Sequence, residues 1–179
     1  IKNLTEGLDK SKFNISIFCI ENPIGPFGEM LEKDGIFIES YRRKSGFDFS
    51  LITKISGFIK NNNIDILHCH QYTPWVYGAL AAIFLKTKVI FTEHGRFFPD
   101  SSSWKRKLIN PPLITLTSKI TAISKATKLA LTEYEFIPHD KVEVVYNGIA
   151  ELSVNLEESL RIKESLNIPL RFKKGSIPS

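Results

Sequence analysis

The chain has too few cysteines to be stapled, no apolar run long enough to cross a bilayer and no glycine-rich cofactor loop. Cys19 and Cys69 both sit inside apolar runs. One disulfide in a chain of 179 residues would be a poor scaffold, so both read as reduced thiols packed like small hydrophobes. No stretch approaches the roughly 18 apolar residues of a membrane span. The opening Ile1-Lys2-Asn3-Leu4-Thr5-Glu6 has no signal-peptide core, which makes the cytoplasm the default expectation. No G-x-G-x-x-G follows a strand-like run, and no G-x-x-x-x-G-K precedes Ser or Thr. A dinucleotide oxidoreductase and a P-loop NTPase therefore both lose their main support. Internal repeats and low-complexity linkers are also missing.

What is present is the make-up of a soluble globular protein of about one domain, with 42% hydrophobic and 24% charged residues. The net charge of +5 is moderately basic and fits nucleic acid, an anionic membrane surface or phosphorylated ligands. No nucleic-acid motif or aromatic stacking platform accompanies that charge, so nucleic acid is not expected as a partner. The first residue is Ile, from which an N-terminal portion is expected to have been lost.

Apolar runs of strand length alternate with helical patterns. Residues 13–20, 64–69, 88–92, 119–124 and 141–146 read as strands rich in β-branched and aromatic residues, with 36–39 a shorter sixth. Helices are predicted over 47–60, with Leu51, Ile52, Ile55, Phe58 and Ile59 on one face, and over the nearly all-apolar 75–85. A further helix over 125–136 carries Leu129, Leu131 and Phe136. This alternation predicts an α/β fold, a doubly wound parallel sheet with helices on both faces. After Tyr146, Asn147-Gly148-Ile149 reads as a turn that uses positive φ, residues 156–166 as an amphipathic helix, and the basic end of the chain as frayed.

Candidate site residues gather where strands end, since ligands of open α/β sheets bind there. Thr92-Glu93-His94-Gly95-Arg96 leaves the run Val89-Ile90-Phe91, and its glycine lets backbone approach a ligand closely. The alternative is a polar loop with a satisfied histidine. His68, Cys69 and His70 form an H-x-H at strand period, placing both imidazoles on one face and Cys69 on the other. No further ligand lies at usable spacing, so no metal is expected. His70 and Gln71 suit a cleft rim, and His68 a packed, hydrogen-bonded position. Ser124 opens a helix, as a cap or a ligand contact. Trp104, Lys105, Arg106 and Lys107 mix cations with apolar bulk, as a segment lying on an anionic membrane would, or as a solvated helix face would.

Ordered along the chain, Ile64-Asp65-Ile66-Leu67-His68-Cys69-His70, Gly78-Ala79-Leu80-Ala81-Ala82, Thr92-Glu93-His94-Gly95, Ile120-Thr121-Ala122-Ile123-Ser124 and Val144-Val145-Tyr146-Asn147-Gly148-Ile149 resemble the N-terminal half of family 4 retaining glycosyltransferases of the GT-B fold. The resemblance runs from Leu4 to Ile149. It implies a Rossmann-like acceptor-side domain facing a second domain that binds a UDP- or GDP-sugar, with transfer to a lipid or growing glycan and no cofactor. It also implies that His94 meets the transferred sugar near the reaction centre. Glu93, Gly95 and Arg96 would shape the pocket; His70, Gln71, Ser124, Asn147 and Gly148 would contact substrate. The protein would sit in the cytoplasm, at the cytoplasmic face of the membrane where it contacts lipid.

The family normally begins with a strand and a Gly-Gly loop; here the chain opens in what resembles the helix that follows, so the first, central strand is expected to be missing. The expected organisation is an incomplete domain over 1–149 and a linker helix with a tail over 150–179, without the donor-binding domain, hence without turnover by this polypeptide alone. A sheet lacking that strand would have a gap or a forced pairing, with exposed edges. Two other classes stay open: a GT-B-like nucleotide-sugar epimerase, and a non-catalytic module that binds a partner or membrane.

Overall fold

The structure, a computed structural model, describes residues 1–95, 103–148 and 155–167. It forms two compact units, Ile1–Asn147 and Gly148–Ser179. In the first unit the elements run α1 (Lys2–Gly7), β1 (Ser16–Cys19), α2 (Pro26–Lys33), β2 (Phe37–Ser40), α3 (Phe49–Asn61), β3 (Ile66–His70), α4 (Tyr72–Ala82), β4 (Lys88–Glu93), α5 (Trp104–Thr115), β5 (Lys119–Ala122), α6 (Lys125–Glu135) and β6 (Val142–Val144). The second unit contributes α7 (Leu156–Ser165), whose Asn155 side chain caps it by accepting from the Glu157 and Glu158 amides.

Every predicted strand is present and every described pairing is parallel. The strands form two sheets, β1-β2 and β3-β4-β5-β6. Among the described residues no pairing joins the two-stranded sheet to the four-stranded one. Helices cover both faces, giving a Rossmann-like α/β fold.

The core lies mainly between the four-stranded sheet and α3 and α4. Leu51, Ile55, Phe58 and Ile59 of α3 are buried, as their helical spacing requires. Trp75 of α4 stacks on Phe91 of β4 with ring centroids 4.4 Å apart and planes 3° from parallel, and its indole N–H donates to the Thr117 hydroxyl. An offset stack of this kind adds to the burial of both rings. Gly78 faces β3, where a Cβ would stand 2.5 Å from the Cys69 sulfur. The glycine thus lets a helix of small residues lie directly on the sheet. Phe18 of β1 packs edge-on against Phe58, which ties the smaller sheet to α3.

Two helices differ from their sequence expectation. In α6 the inward face is Thr127, Leu131 and Glu135, whereas Leu129 is 59% exposed. The cause is a buried polar anchor: Glu135 pairs with Arg106 and takes a hydrogen bond from Asn110 at its backbone carbonyl, which sets the rotation of the helix. In α5 the helix continues through Pro111 and Pro112, residues that ordinarily end one. Asn110 and Leu113 are buried there, and tertiary anchoring holds the segment helical. Helix α2 begins at Pro26, which suits a first helical position because the missing N–H would be unpaired there anyway. Of the turn expected at 147–149, Ile149 lies outside the described residues and Gly148 does not adopt a positive φ.

Candidate functional site

Because β3, β4 and β5 are parallel and adjacent, their C-terminal ends open on one edge of the sheet. The Gln71 amide donates to the Thr92 carbonyl, and the Ile123 amide to the Glu93 carbonyl, so the three exits are stitched together. Gln71 takes φ +75 at the N-terminus of α4, a left-handed conformation that turns the chain sharply from strand into helix. Ser124 begins α6 and accepts from the Thr127 amide at 3.0 Å, which fits its cap reading. Two helix N-termini, with partial positive charge, therefore lie at this edge.

Strand alternation puts His68 and His70 on one face and buries Cys69 on the other. The parallel register aligns His70 with Thr92, and the hydroxyl of Thr92 binds both His68 Nε2 at 2.7 Å and the Thr121 hydroxyl at 2.6 Å. At the rim, His70 Nδ1 meets His94 Nε2 at 2.7 Å, and the His68 and His70 rings lie 4.2 Å apart. His94, one residue past β4, thus joins a continuous polar row across three strands. Thr92 opens the loop stretch singled out from sequence, whereas Thr121 is not marked there; the strand register puts both on the histidine face.

Burial disfavours the charged form of all three imidazoles. It is the largest cause for His70, reinforced by His68 and His94, and holds that ring down to about 3. His94 is lowered by burial, and His68 by burial and then by His94. At neutral pH the row is a set of uncharged donors and acceptors. Burial pushes the Cys69 thiol up to about 12, which keeps it an unreactive packing group.

Glu93 stands apart from the histidine face. It is 3% exposed, and its Oε1 accepts from the His94 and Gly95 amides at 3.1 and 3.3 Å. The carboxylate supports the loop from below. Gly95 has φ +139, a conformation that excludes an ordinary side chain without strain. Arg96 lies outside the described residues. Asn147 follows β6 and is exposed; Gly148 begins the second unit. Among the described residues, no three His, Cys, Asp or Glu side chains converge to hold a metal ion.

The membrane candidates divide. Arg106 turns toward the protein, its guanidinium 2.9 Å from the buried Glu135 carboxylate and over the Tyr72 ring, while the side chain stays partly exposed. A buried carboxylate without a charge partner is costly, so the pairing holds Arg106 at Glu135. Lys107 lies over the Phe136 ring, while Trp104 and Lys105 remain exposed. No helix among the described residues is long and apolar enough to cross a membrane. Shallow clefts border Lys86, Thr87 and Ile64 at the opposite, N-terminal end of the strands, away from the histidines.

A Rossmann-like domain whose polar row reaches the C-terminal edge of a parallel sheet defines a ligand-binding α/β protein. The particular kind follows from its sequence: residues 1–151 match Glycosyltransferase Family 4, and the chain belongs to that family as its N-terminal GT-B domain. A glycosyltransferase of Rickettsia africae ESF-5 superposes with a TM-score of 0.68 at 24% identity, over 86% of this chain and 41% of that one. Anabaena HepE in complex with UDP and glucose gives 0.65 at 18% identity, over 85% and 42%. MurG of Acinetobacter baumannii gives 0.50 at 15%, over 84% and 40%. No curated protein matches the chain. The chain spans about two fifths of the length of these solved structures.

Proposed function

We propose that this chain is the acceptor-side part of a retaining hexosyltransferase that moves a sugar from a UDP- or GDP-sugar to a lipid or growing glycan at the cytoplasmic face of a membrane. The observation that carries the reading is the position of His94 at the exit of β4, hydrogen-bonded to His70 at the end of a neutral polar row, within a family 4 domain. HepE, which shares the fold, is described in complexes with UDP and glucose and with UDP-glucose, in keeping with a nucleotide-sugar donor. In this reading His94 orients the transferred sugar and helps stabilise charge at its anomeric carbon. Glu93 holds the loop beneath it, Gly95 and Arg96 complete the wall, and Ser124, Gln71 and Asn147 line the acceptor side. The donor nucleotide is bound by a second domain beyond this chain, so 1–179 alone does not turn over.

A panel of nucleotide-sugars offered to the full-length protein should contain one that raises its unfolding temperature, because a ligand of the native state alone stabilises it by mass action. With that donor, His94→Ala should lower transfer by about 100-fold, the scale of losing a positioned polar group in a transition state. Unchanged turnover would remove His94 from the reaction.

A further inference from the structure

We propose that His70 is a positioning residue that acts through His94, clamping its Nε2 and so reserving its Nδ1 for the transferred sugar. The inference rests on the proposed role of His94. Its basis is the 2.7 Å contact between His70 Nδ1 and His94 Nε2, with the His68 ring 4.2 Å behind that of His70. His68 is itself fixed by Thr92, and Thr92 by Thr121. The series therefore runs from the middle of β5 through β4 and β3 to the rim, and each member removes a rotational freedom from the next.

Two neutral imidazoles facing each other at this distance share one proton. If His70 donates, His94 accepts on Nε2 and carries its own proton on Nδ1; if His94 donates, its Nδ1 is a lone pair. In both cases the tautomer of His94 is set jointly with that of His70 rather than by solvent. A histidine at the rim of a strand was expected to touch substrate directly. The His94 contact takes the Nδ1 of His70 and the Nε2 of His94, and among the described residues no hydrogen bond is made by the remaining Nδ1 of His94, which lies past the end of its strand. His94 is thus the ring presented outward, and His70 the ring that aims it. A side chain already held in its reactive orientation loses no freedom when the transition state forms.

The test uses the full-length enzyme and the donor sugar found to stabilise it. His70→Phe keeps an aromatic ring and deletes the clamp; His70→Asn places an amide atom near the former Nδ1. His70→Phe should lower kcat about 10-fold or more while the donor KM changes less than threefold, since the loss falls on the transition state. His70→Asn should recover most of kcat. In the His94→Ala background His70→Phe should cost nothing further, because a residue that acts only through another shows complete coupling to it. Imidazole nitrogen NMR should show a coupling between His70 and His94 that His70→Phe abolishes. A His70→Phe kcat within twofold of wild type, an additive loss on top of His94→Ala, or an Asn variant as poor as the Phe variant would each overturn the proposal. If His94→Ala itself turns over normally, the role of His94 falls with it; if His94→Ala is dead and His70→Phe is unaffected, only the clamp falls.

Discussion

The three imidazoles of the polar row hold less proton than free histidine does, and this has a consequence for stability. In the unfolded chain each would titrate near 6.5. In the native protein burial, then neighbouring positive charge, lowers all three, His70 to about 3. As the pH falls below 6.5 the unfolded state binds protons that the native row refuses. Bound protons are then more numerous in the unfolded state, and stability declines with falling pH. The unfolding temperature should therefore drop between pH 7 and pH 5, and drop less steeply in His70→Asn. Equal slopes in the two proteins would contradict this account. His94 and His70 were legible as residues because a strand end marks them both, but their direct contact was not, since it depends on which strands are neighbours and in what register. The buried place of Glu93 beneath its own loop follows from strand alternation, which puts it on the face opposite the histidines.

At the level of elements, α5 shows what sequence pattern alone does not reveal. Its Pro111-Pro112 pair argues for a break and its cations for a solvated or lipid-facing surface. The helix persists because Asn110 accepts from the Tyr72 hydroxyl and donates to the Glu135 carbonyl, and because Arg106 reaches the Glu135 carboxylate, linking α4, α5 and α6. Deleting the cation removes the ion-pair partner of a carboxylate that is 1% exposed and keeps the Asn110 amide at 3.4 Å, whereas deleting the carboxylate leaves an arginine that can still reach water. Arg106→Leu should cost about 2–4 kcal/mol and Glu135→Gln clearly less, read from urea unfolding midpoints. A loss under about 0.5 kcal/mol in Arg106→Leu would mean that the pair does not anchor the helices. The strands and the amphipathic helix α3 were legible from periodicity, because one buried face decides their residues. In helix α6 the apolar pattern marks Leu131 of the core but not Thr127 or Glu135, because the anchor is a charged residue and periodicity counts only apolar ones.

For the first unit as a whole, the division into β1-β2 and β3-β4-β5-β6 sets unequal protection. Val89 and Phe91 of β4 are buried and β4 is paired on both sides, whereas every residue of β1 is only half-buried and the strand is paired on one side among the described residues. Hydrogen exchange on the 179-residue chain should find the amides of β4 and β5 the slowest, and those of β1 and β2 faster by at least about 10-fold. Uniform protection across both sheets would refute this inequality. The order of the larger sheet has a consequence for how the chain acquires its shape. Consecutive strands of this sheet pair in sequence order, and among the described residues one α-helix lies between each pair, with a 3-10 turn at His139–Lys141 added before β6. No strand waits for a distant segment, so loop-closure entropy is met in short instalments and the sheet can lengthen one crossover at a time as the polypeptide emerges. Strand β3, which among the described residues is paired on one side only, is also the first of the four made, and the sheet grows from it toward β6.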